Sequence, residues 1–323
     1  MSEVIDRVQK TNIFPIKSLQ AATLDGQPIT ELVAGPTGLE CEGVADRAFV
    51  LSDPDGLFVS QRGWDENHSL KFPEDRAFAS VAVDIRDGYL HLSAPNHGEA
   101  NIALWEPVGE TKNLRFFGPD LPVIDAQSHL DAPEFFSELL GREVRLTMAD
   151  PHHPRMLAEK YQRKGAANRA TGADGRPISL ASQASLDQLH DLANVLRGSL
   201  PLINFRANVE VTGEALKPFG EDMVSCLQID EVEAFVVKAL SRCPVPNINQ
   251  LTGDASQRLA TKLLRPRMGW DTNGDQSQKP EPYFAVSLNH IYMPGEKRRV
   301  RVGSPVSIID EHEPWVVLKS AQE

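Results

Sequence analysis

A single thiol, Cys243, stands in the run Lys238-Ala-Leu-Ser-Arg-Cys-Pro-Val-Pro-Asn-Ile-Asn-Gln-Leu-Thr-Gly253. The apolar, β-prone stretch from Val232 to Leu240 leads into it, and Pro244 and Pro246 stop any strand from continuing. This spacing predicts a sulfur fixed at a strand end, beside the permanent charge of Arg242. A neighbouring cation favours the thiolate, the form that attacks carbon or ligates a soft metal. A lone cysteine is otherwise a small buried hydrophobe. Cys226, in Ser225-Cys-Leu-Gln-Ile229, reads as that ordinary kind of strand residue.

The segment 150–177 is rich in Pro, Gly and His and irregular. It sets Arg155, Lys160, Arg163, Lys164 and Arg169 against Glu159, reversing the charge of the chain as a whole. It reads as a solvated loop or as a basic lid over an anionic ligand.

Bulk composition narrows the partners. The 33 Lys+Arg against 45 Asp+Glu give a net charge of -12, which argues against nucleic acid or an anionic membrane as partner. A local basic pocket for a small anion stays open. The three cysteines, Cys41, Cys226 and Cys243, lie far apart with no CxxC or Cys/His cluster, so zinc and Cys-ligated iron–sulfur sites have no ligand set. This pattern fits a reducing compartment. Met1 to Lys10 lacks the apolar core of a signal peptide, and no run nears the roughly 18 apolar residues of a membrane span. The expectation is a cytoplasmic protein without a membrane partner.

The elements that must position Cys243 are mostly strands. Arg47–Leu51 and Leu57–Gln61 flank the turn Asp53-Pro-Asp-Gly56, and Val81–Arg86 and Tyr89–Ser93 flank the hairpin pair Asp87-Gly88. Asp131 caps a predicted helix that carries Phe135, Phe136, Leu139 and Leu140 to Gly141. Leu186, Leu189, Leu192 and Leu196 predict a second helix from Ser182 to Arg197, capped by Ser182 and ended by Gly198. Strands resume at 208–212 and 232–240, a short helix capped by Asp254 follows over 255–264, and strands at 284–288, 299–302 and 305–309 close the chain.

Four separated segments now become legible together. They are Ile13-Phe-Pro-Ile-Lys-Ser18 with Gly43-Val-Ala-Asp-Arg47 and Phe58-Val-Ser-Gln-Arg62; Ser179-Leu-Ala-Ser-Gln-Ala-Ser-Leu186; Asn204-Phe-Arg-Ala-Asn-Val209 leading to Glu221-Asp222; and Ser241-Arg-Cys243 with Thr252-Gly253. This order resembles MOSC-domain proteins, the molybdenum cofactor sulfurase C-terminal type, preceded by a MOSC N-terminal β-barrel domain. Among them it is similar to the mitochondrial amidoxime-reducing component and its bacterial counterparts. The resemblance implies an α+β, strand-dominated fold: an N-terminal β-rich domain over 11–128, a helix and basic linker over 129–170, and a β-barrel-like MOSC domain with a few helices over 171–312.

The resemblance also implies a chemistry. Cys243 matches the cysteine that ligates molybdenum, and a thiolate suits a metal already held by the dithiolene of a pterin. Lys17, Ser18, Arg47, Arg62 and Arg206 match positions that would hold the pterin phosphate, with Ser241 and Arg242 beside the metal ligand. Ser182 would add a hydroxyl at a helix N-terminus, and Asn208 would meet the pterin ring edge. The implied cofactor is Mo-molybdopterin. The implied activity is reduction of a small N-hydroxylated substrate with electrons from a separate flavin, haem or iron–sulfur protein. Ala207 departs from the family's Phe-Arg-Pro-Asn, Ala21 stands for a glycine, and Gly213 to Glu221 does not align, so the proton donor stays unassigned. Two alternatives remain: a non-catalytic carrier of cofactor or sulfur on Cys243, and a cofactor-free thiol enzyme, which needs a general base.

Overall fold

The computed structural model describes residues 6–63, 69–104, 111–116, 120–125, 132–213, 216–272 and 277–319. Seven strands form a ring: β1 Asp6–Thr11, β2 Ile178–Ser182, β3 Val209–Gly213, β4 Val224–Ile229, β5 Val232–Ser241, β6 Glu281–His290 and β7 Pro305–Glu311. Their order is β2-β3-β1-β7-β4-β5-β6, and a β2–β6 pairing closes the barrel. A ring with an odd number of strands cannot alternate direction all the way round, so one neighbouring pair must run parallel. That pair is β2–β3, with Leu180 opposite Val209. Parallel neighbours need a long crossover, and helix α2, Gln183–Leu192, supplies part of it.

The fold is strand-dominated with few helices, as expected. The two halves interlock. β1 belongs to the C-terminal barrel, while Arg299–Arg301 pairs with Glu31–Gly35 in an N-terminal sheet. Arg145–Ala149 pairs with Phe49–Ser52 and with Leu121–Asp125, so the stretch counted as linker is part of the N-terminal unit through Ala149. One apolar core runs through both halves, from Leu32, Phe78 and Phe136 to Val211, Leu227 and Val286.

The Asp87-Gly88 hairpin forms as read, with both residues in left-handed backbone joining Ala82–Arg86 to Tyr89–Ala94. The helix α1, Ala132–Leu140, forms too, although Asp131 lies outside the described residues. Other expectations need correction. Leu57–Gln61 makes only isolated bridges, at Leu57 and Phe58. Helix α2 stops at Leu192: Leu186 and Leu189 pack on Phe205, Phe284 and Leu263, whereas Leu192 and Leu196 are 54% and 82% exposed. Each buried leucine contributes about 1.5–3 kcal/mol, and the exposed pair offers no such gain. Asn194, at φ 50°, then turns the chain out of the helix. The 255–264 helix shrinks to α3, Leu259–Leu263, because Asp254 holds the Ser256 N–H and hydroxyl in a turn at 2.9 Å each.

Candidate functional site

A cavity of about 640 Å³ lies where β5 ends, where β2 starts, before β3 and against β6, with the N-terminal half as its other wall. Lys17, Ser18, Arg47, Arg62, Arg206, Asn208, Ser241, Arg242 and Cys243 all line it. Residues up to 226 positions apart in sequence thus meet around one space, since Lys17 and Cys243 differ by 243 − 17 = 226. Ser182 does not join them. It precedes α2 as expected, yet its hydroxyl makes no cap bond and is buried away from the cavity lining.

Lys17 is 6% exposed, and its ammonium donates to Gly172 O at 2.8 Å and to Asp174 Oδ1 at 2.6 Å. Arg62 Nη2 reaches the other oxygen of the same carboxylate at 2.7 Å. Burial pulls the Lys17 ammonium down to about 8; Asp174 opposes this, while Arg62 and Arg47 add to it. Burial works to raise Asp174, but Lys17 and Arg62 outweigh it and hold the carboxyl well below the usual carboxylate range. Gly172 permits this approach: a Cβ there would stand 2.9 Å from Arg47 O and 2.5 Å from Val50 Cγ2.

Arg47 and Arg206 gather on Phe14, their guanidinium carbons 4.8 and 4.1 Å from its ring centre. Arg47 is ion-paired with Asp46. Arg206 Nη1 donates to Leu19 O at 2.6 Å and to Gln250 Oε1 at 3.0 Å, while its Nη2 is buried without a partner. Burial, reinforced by Arg47, lowers Arg206 to about 9. Ser18, Gln61 and Gln250 form a ladder to this guanidinium, Gln61 N–H reaching Ser18 Oγ at 3.3 Å and Gln61 Nε2 reaching Gln250 Oε1 at 3.2 Å. Ser18, Arg47 and Arg206 all hold left-handed backbone, at φ 77°, 52° and 55°. Such strain in non-glycine residues concentrates where the surrounding structure over-determines a site.

Cys243 follows β5 as read, half-buried at the cavity wall. Arg242 interacts with it by charge, as read, and Arg62 and Arg206 share that part. Arg242 turns back into the protein, donating from Nε to Phe284 O at 2.7 Å and from Nη1 to Phe205 O at 3.2 Å, with Nη2 buried and unpartnered. Burial lowers it to about 10. Arg62 is the guanidinium that hydrogen-bonds the Cys243 side chain. Cys41 and Cys226 lie in strands with their thiols pushed up to about 11 by burial, helped by nearby carboxylates.

Asn208 meets the cavity but has spent its amide. Its Oδ1 accepts from Ser179 N and Oγ at 3.1 and 3.0 Å, and its Nδ2 donates to Asn12 O at 3.2 Å. It therefore ties the start of β3 to β2 rather than offering both groups to a ring edge. Nor do Arg155, Lys160, Arg163, Lys164 and Arg169 form a lid over the cavity. Arg155 is buried against Ala173 O, and Arg163 donates to carbonyls of its own loop at 3.2 and 2.8 Å. The end of the same segment, Asp174 and Arg176, lines the cavity instead. Sequence reading missed both, along with Gln61 and Gln250; Asp174 in Gly172-Ala-Asp-Gly-Arg176 carried no spacing signal of its own.

The donor set suits a thiol-ligated metal group with a phosphate. Arg176 Nε, Arg206 Nη2 and Arg242 Nη2 are buried without acceptors, and Lys17, Arg47 and Arg62 stand in the same lining, paired with the carboxylates of Asp46 and Asp174. Among the described residues no cluster of three or more His, Cys, Asp or Glu could hold a metal by protein ligands alone. A metal here would need a ligand of its own besides Cys243.

A closed seven-stranded barrel beside a β-rich N-terminal unit, with a cationic thiol-bearing cavity between them, defines the class. Residues 167–307 match the MOSC domain and residues 5–143 the MOSC N-terminal beta barrel domain. The chain belongs to the MOSC-domain proteins. MOSC domains are associated with molybdenum-cofactor-binding, sulfurase-like and oxidoreductase proteins. No curated protein matches the chain. Among solved structures it is similar to a Bordetella bronchiseptica protein solved in solution, at 17% identity and TM-score 0.26, over 37% of this chain and 89% of that one. It is also similar to a hypothetical protein solved by crystallography, at 10% identity and TM-score 0.22, over 46% of this chain and 60% of that one. Both likenesses are too slight to bear on activity. Among the described residues no helix is long and apolar enough to cross a membrane.

Proposed function

We propose that this protein is a molybdenum-cofactor-dependent oxidoreductase that reduces N-hydroxylated compounds, such as hydroxylamines and amidoximes. One observation carries the reading: Cys243 opens on the same cavity as Arg206 and Arg242, whose Nη2 atoms are buried without acceptors. A buried donor left unpaired costs about 1–3 kcal/mol, which a bound anion removes.

Cys243 would ligate the metal. Lys17, Arg47, Arg62 and Arg206 would hold the pterin phosphate, with Ser18 and Gln61 bracing them. When bound, the cofactor supplies the two-electron chemistry by which an N-hydroxylamine, two electrons and two protons become an amine and water. The protein's part is placement. Arg62 fixes the thiol, Arg242 stiffens the strand end through Phe205 and Phe284, and the Phe14 stack orients Arg47 and Arg206. Electrons come, in this reading, from a separate flavin, haem or iron–sulfur protein. A cofactor-free thiol enzyme would need a general base beside Cys243, and among the described residues no histidine lines the cavity.

The test is reduction of benzamidoxime by protein made in a host that synthesises the cofactor, with reduced viologen as donor. Turnover scaling with molybdenum content supports the reading. Bound cofactor without turnover would make the protein a carrier.

A further inference from the structure

Arg176 is the cavity cation stacked on Tyr161. Its guanidinium carbon lies 3.4 Å from the centre of the Tyr161 ring, over which Lys160 Nζ also stands at 5.0 Å. Asn289, in β6, fixes that platform by donating from Nδ2 to Tyr161 O at 3.2 Å. Lys17 and Arg62 share Asp174, and Arg47 has Asp46. Like Arg206 and Arg242, Arg176 makes no ion pair among the described residues, and its Nε is buried without a partner. Burial lowers it, with the Tyr161 phenol and Asp271 opposing.

It shares the cavity with Cys243 and the end of β5. Asp271 N–H donates to the Tyr283 hydroxyl at 3.1 Å, and Tyr283 is the register partner of Ser241, two residues before Cys243. Glu281, at the start of β6, lines the same cavity. Arg176 thus lines the same cavity as Cys243 from its own aromatic platform, whereas Arg47 and Arg206 are collected on Phe14. A guanidinium stacked on an aromatic face keeps its N–H edge for a ligand, and that edge matches a carboxylate with two parallel bonds.

We propose that Arg176 is a substrate-recognising residue that pairs the carboxylate of an acidic N-hydroxylated compound while its N–OH end faces Cys243. This rests on the reductase reading above. It makes the preferred substrates anionic, in a protein whose overall charge is -12.

The test compares 4-carboxybenzamidoxime with benzamidoxime on the loaded wild type, Arg176→Gln and Arg176→Lys. Steady-state reduction, calorimetric binding of both compounds, and molybdenum and pterin content are measured. The wild type is expected to favour the carboxylate compound. Arg176→Gln should raise its KM and Kd about ten- to a hundredfold, leave kcat within about threefold, and move benzamidoxime by less than about threefold. Arg176→Lys should restore part of the difference. Equal losses on both compounds, or wild-type binding without preference, overturn the role of Arg176. Lost molybdenum and pterin in Arg176→Gln overturns it too, by placing the residue in the cofactor cradle. A fully loaded wild type that reduces neither compound overturns the reductase reading itself.

Discussion

Arg47 Nη2 donates to the backbone carbonyl oxygen of Arg206 at 3.1 Å, so a cation of the N-terminal half fixes the backbone of one in the barrel half. Both residues sit in left-handed backbone, which costs roughly 1–2 kcal/mol for a non-glycine residue. The pair brings two like charges onto one phenylalanine ring, an arrangement that calls for an anion. The following predictions start from that cluster.

Arg206→Ala should lower molybdenum and pterin content together, by about ten- to a hundredfold in cofactor affinity, as expected for losing hydrogen bonds to a charged group. Arg206→Lys should recover part of it, because an ammonium lacks the two-pronged edge. Because Nη1 also holds Leu19 O and Gln250, the cofactor-free Ala variant should melt a few degrees lower. Full cofactor content in Arg206→Ala, with only the melting temperature reduced, would make Arg206 purely structural.

Cys243→Ser should cut N–O reduction by at least about a hundredfold. Cys41→Ser and Cys226→Ser should keep activity per molybdenum while costing about 1–3 kcal/mol of stability, since each puts a hydroxyl into a buried strand site. Activity and urea midpoints for the three variants decide it. An inactive but folded Cys226→Ser would show that the wrong thiol had been assigned.

Lys17 gives the cofactor-free protein a pH signature. Its folded value of about 8 lies below the ordinary 10.5, so between those values the unfolded chain binds more protons. Stability should rise with pH across that window and be lost as pH falls from 10.5 towards 8. Lys17→Met should flatten the slope measured by urea unfolding between pH 8 and 10. An unchanged slope would contradict the buried, strained ammonium.

Glu221 behaves oppositely. It is fully buried, and burial, with Asp222 adding, raises it well above the ordinary carboxyl range. Its stabilising contribution is present below that ordinary range and is lost as pH rises through the raised folded value. Glu221→Gln keeps an acceptor for the Ser185 hydroxyl, which now donates at 2.7 Å, and removes the titration. The variant should be more stable than wild type at pH 8 and close to it at pH 5, by denaturant midpoint. Equal midpoints at both values would show that Glu221 is ionised in the fold.

Much of the frame was legible because local chemistry decided it. The Asp87-Gly88 hairpin, the long strand into Cys243 and the apolar face of α2 follow from turn residues, prolines and leucine spacing. What stayed hidden is tertiary. Nothing in the sequence says that Arg242 turns inward to Phe205 and Phe284 while Arg62, 181 positions away (243 − 62), reaches Cys243. Leucine spacing extended α2 past Leu192 because periodicity does not reveal whether a partner surface continues. Asn208 could be placed at the cavity, but not its commitment to Ser179 and Asn12, which depends on the parallel β2–β3 closure.

The central claim is that this cavity holds a molybdenum pterin on Cys243. The most direct test is elemental and pterin analysis of wild type and Cys243→Ser, both purified from a host that makes the cofactor. The account predicts close to one molybdenum and one pterin per wild-type chain, with molybdenum sharply reduced in Cys243→Ser. Zinc at full occupancy, no metal, or equal molybdenum in both proteins would contradict it.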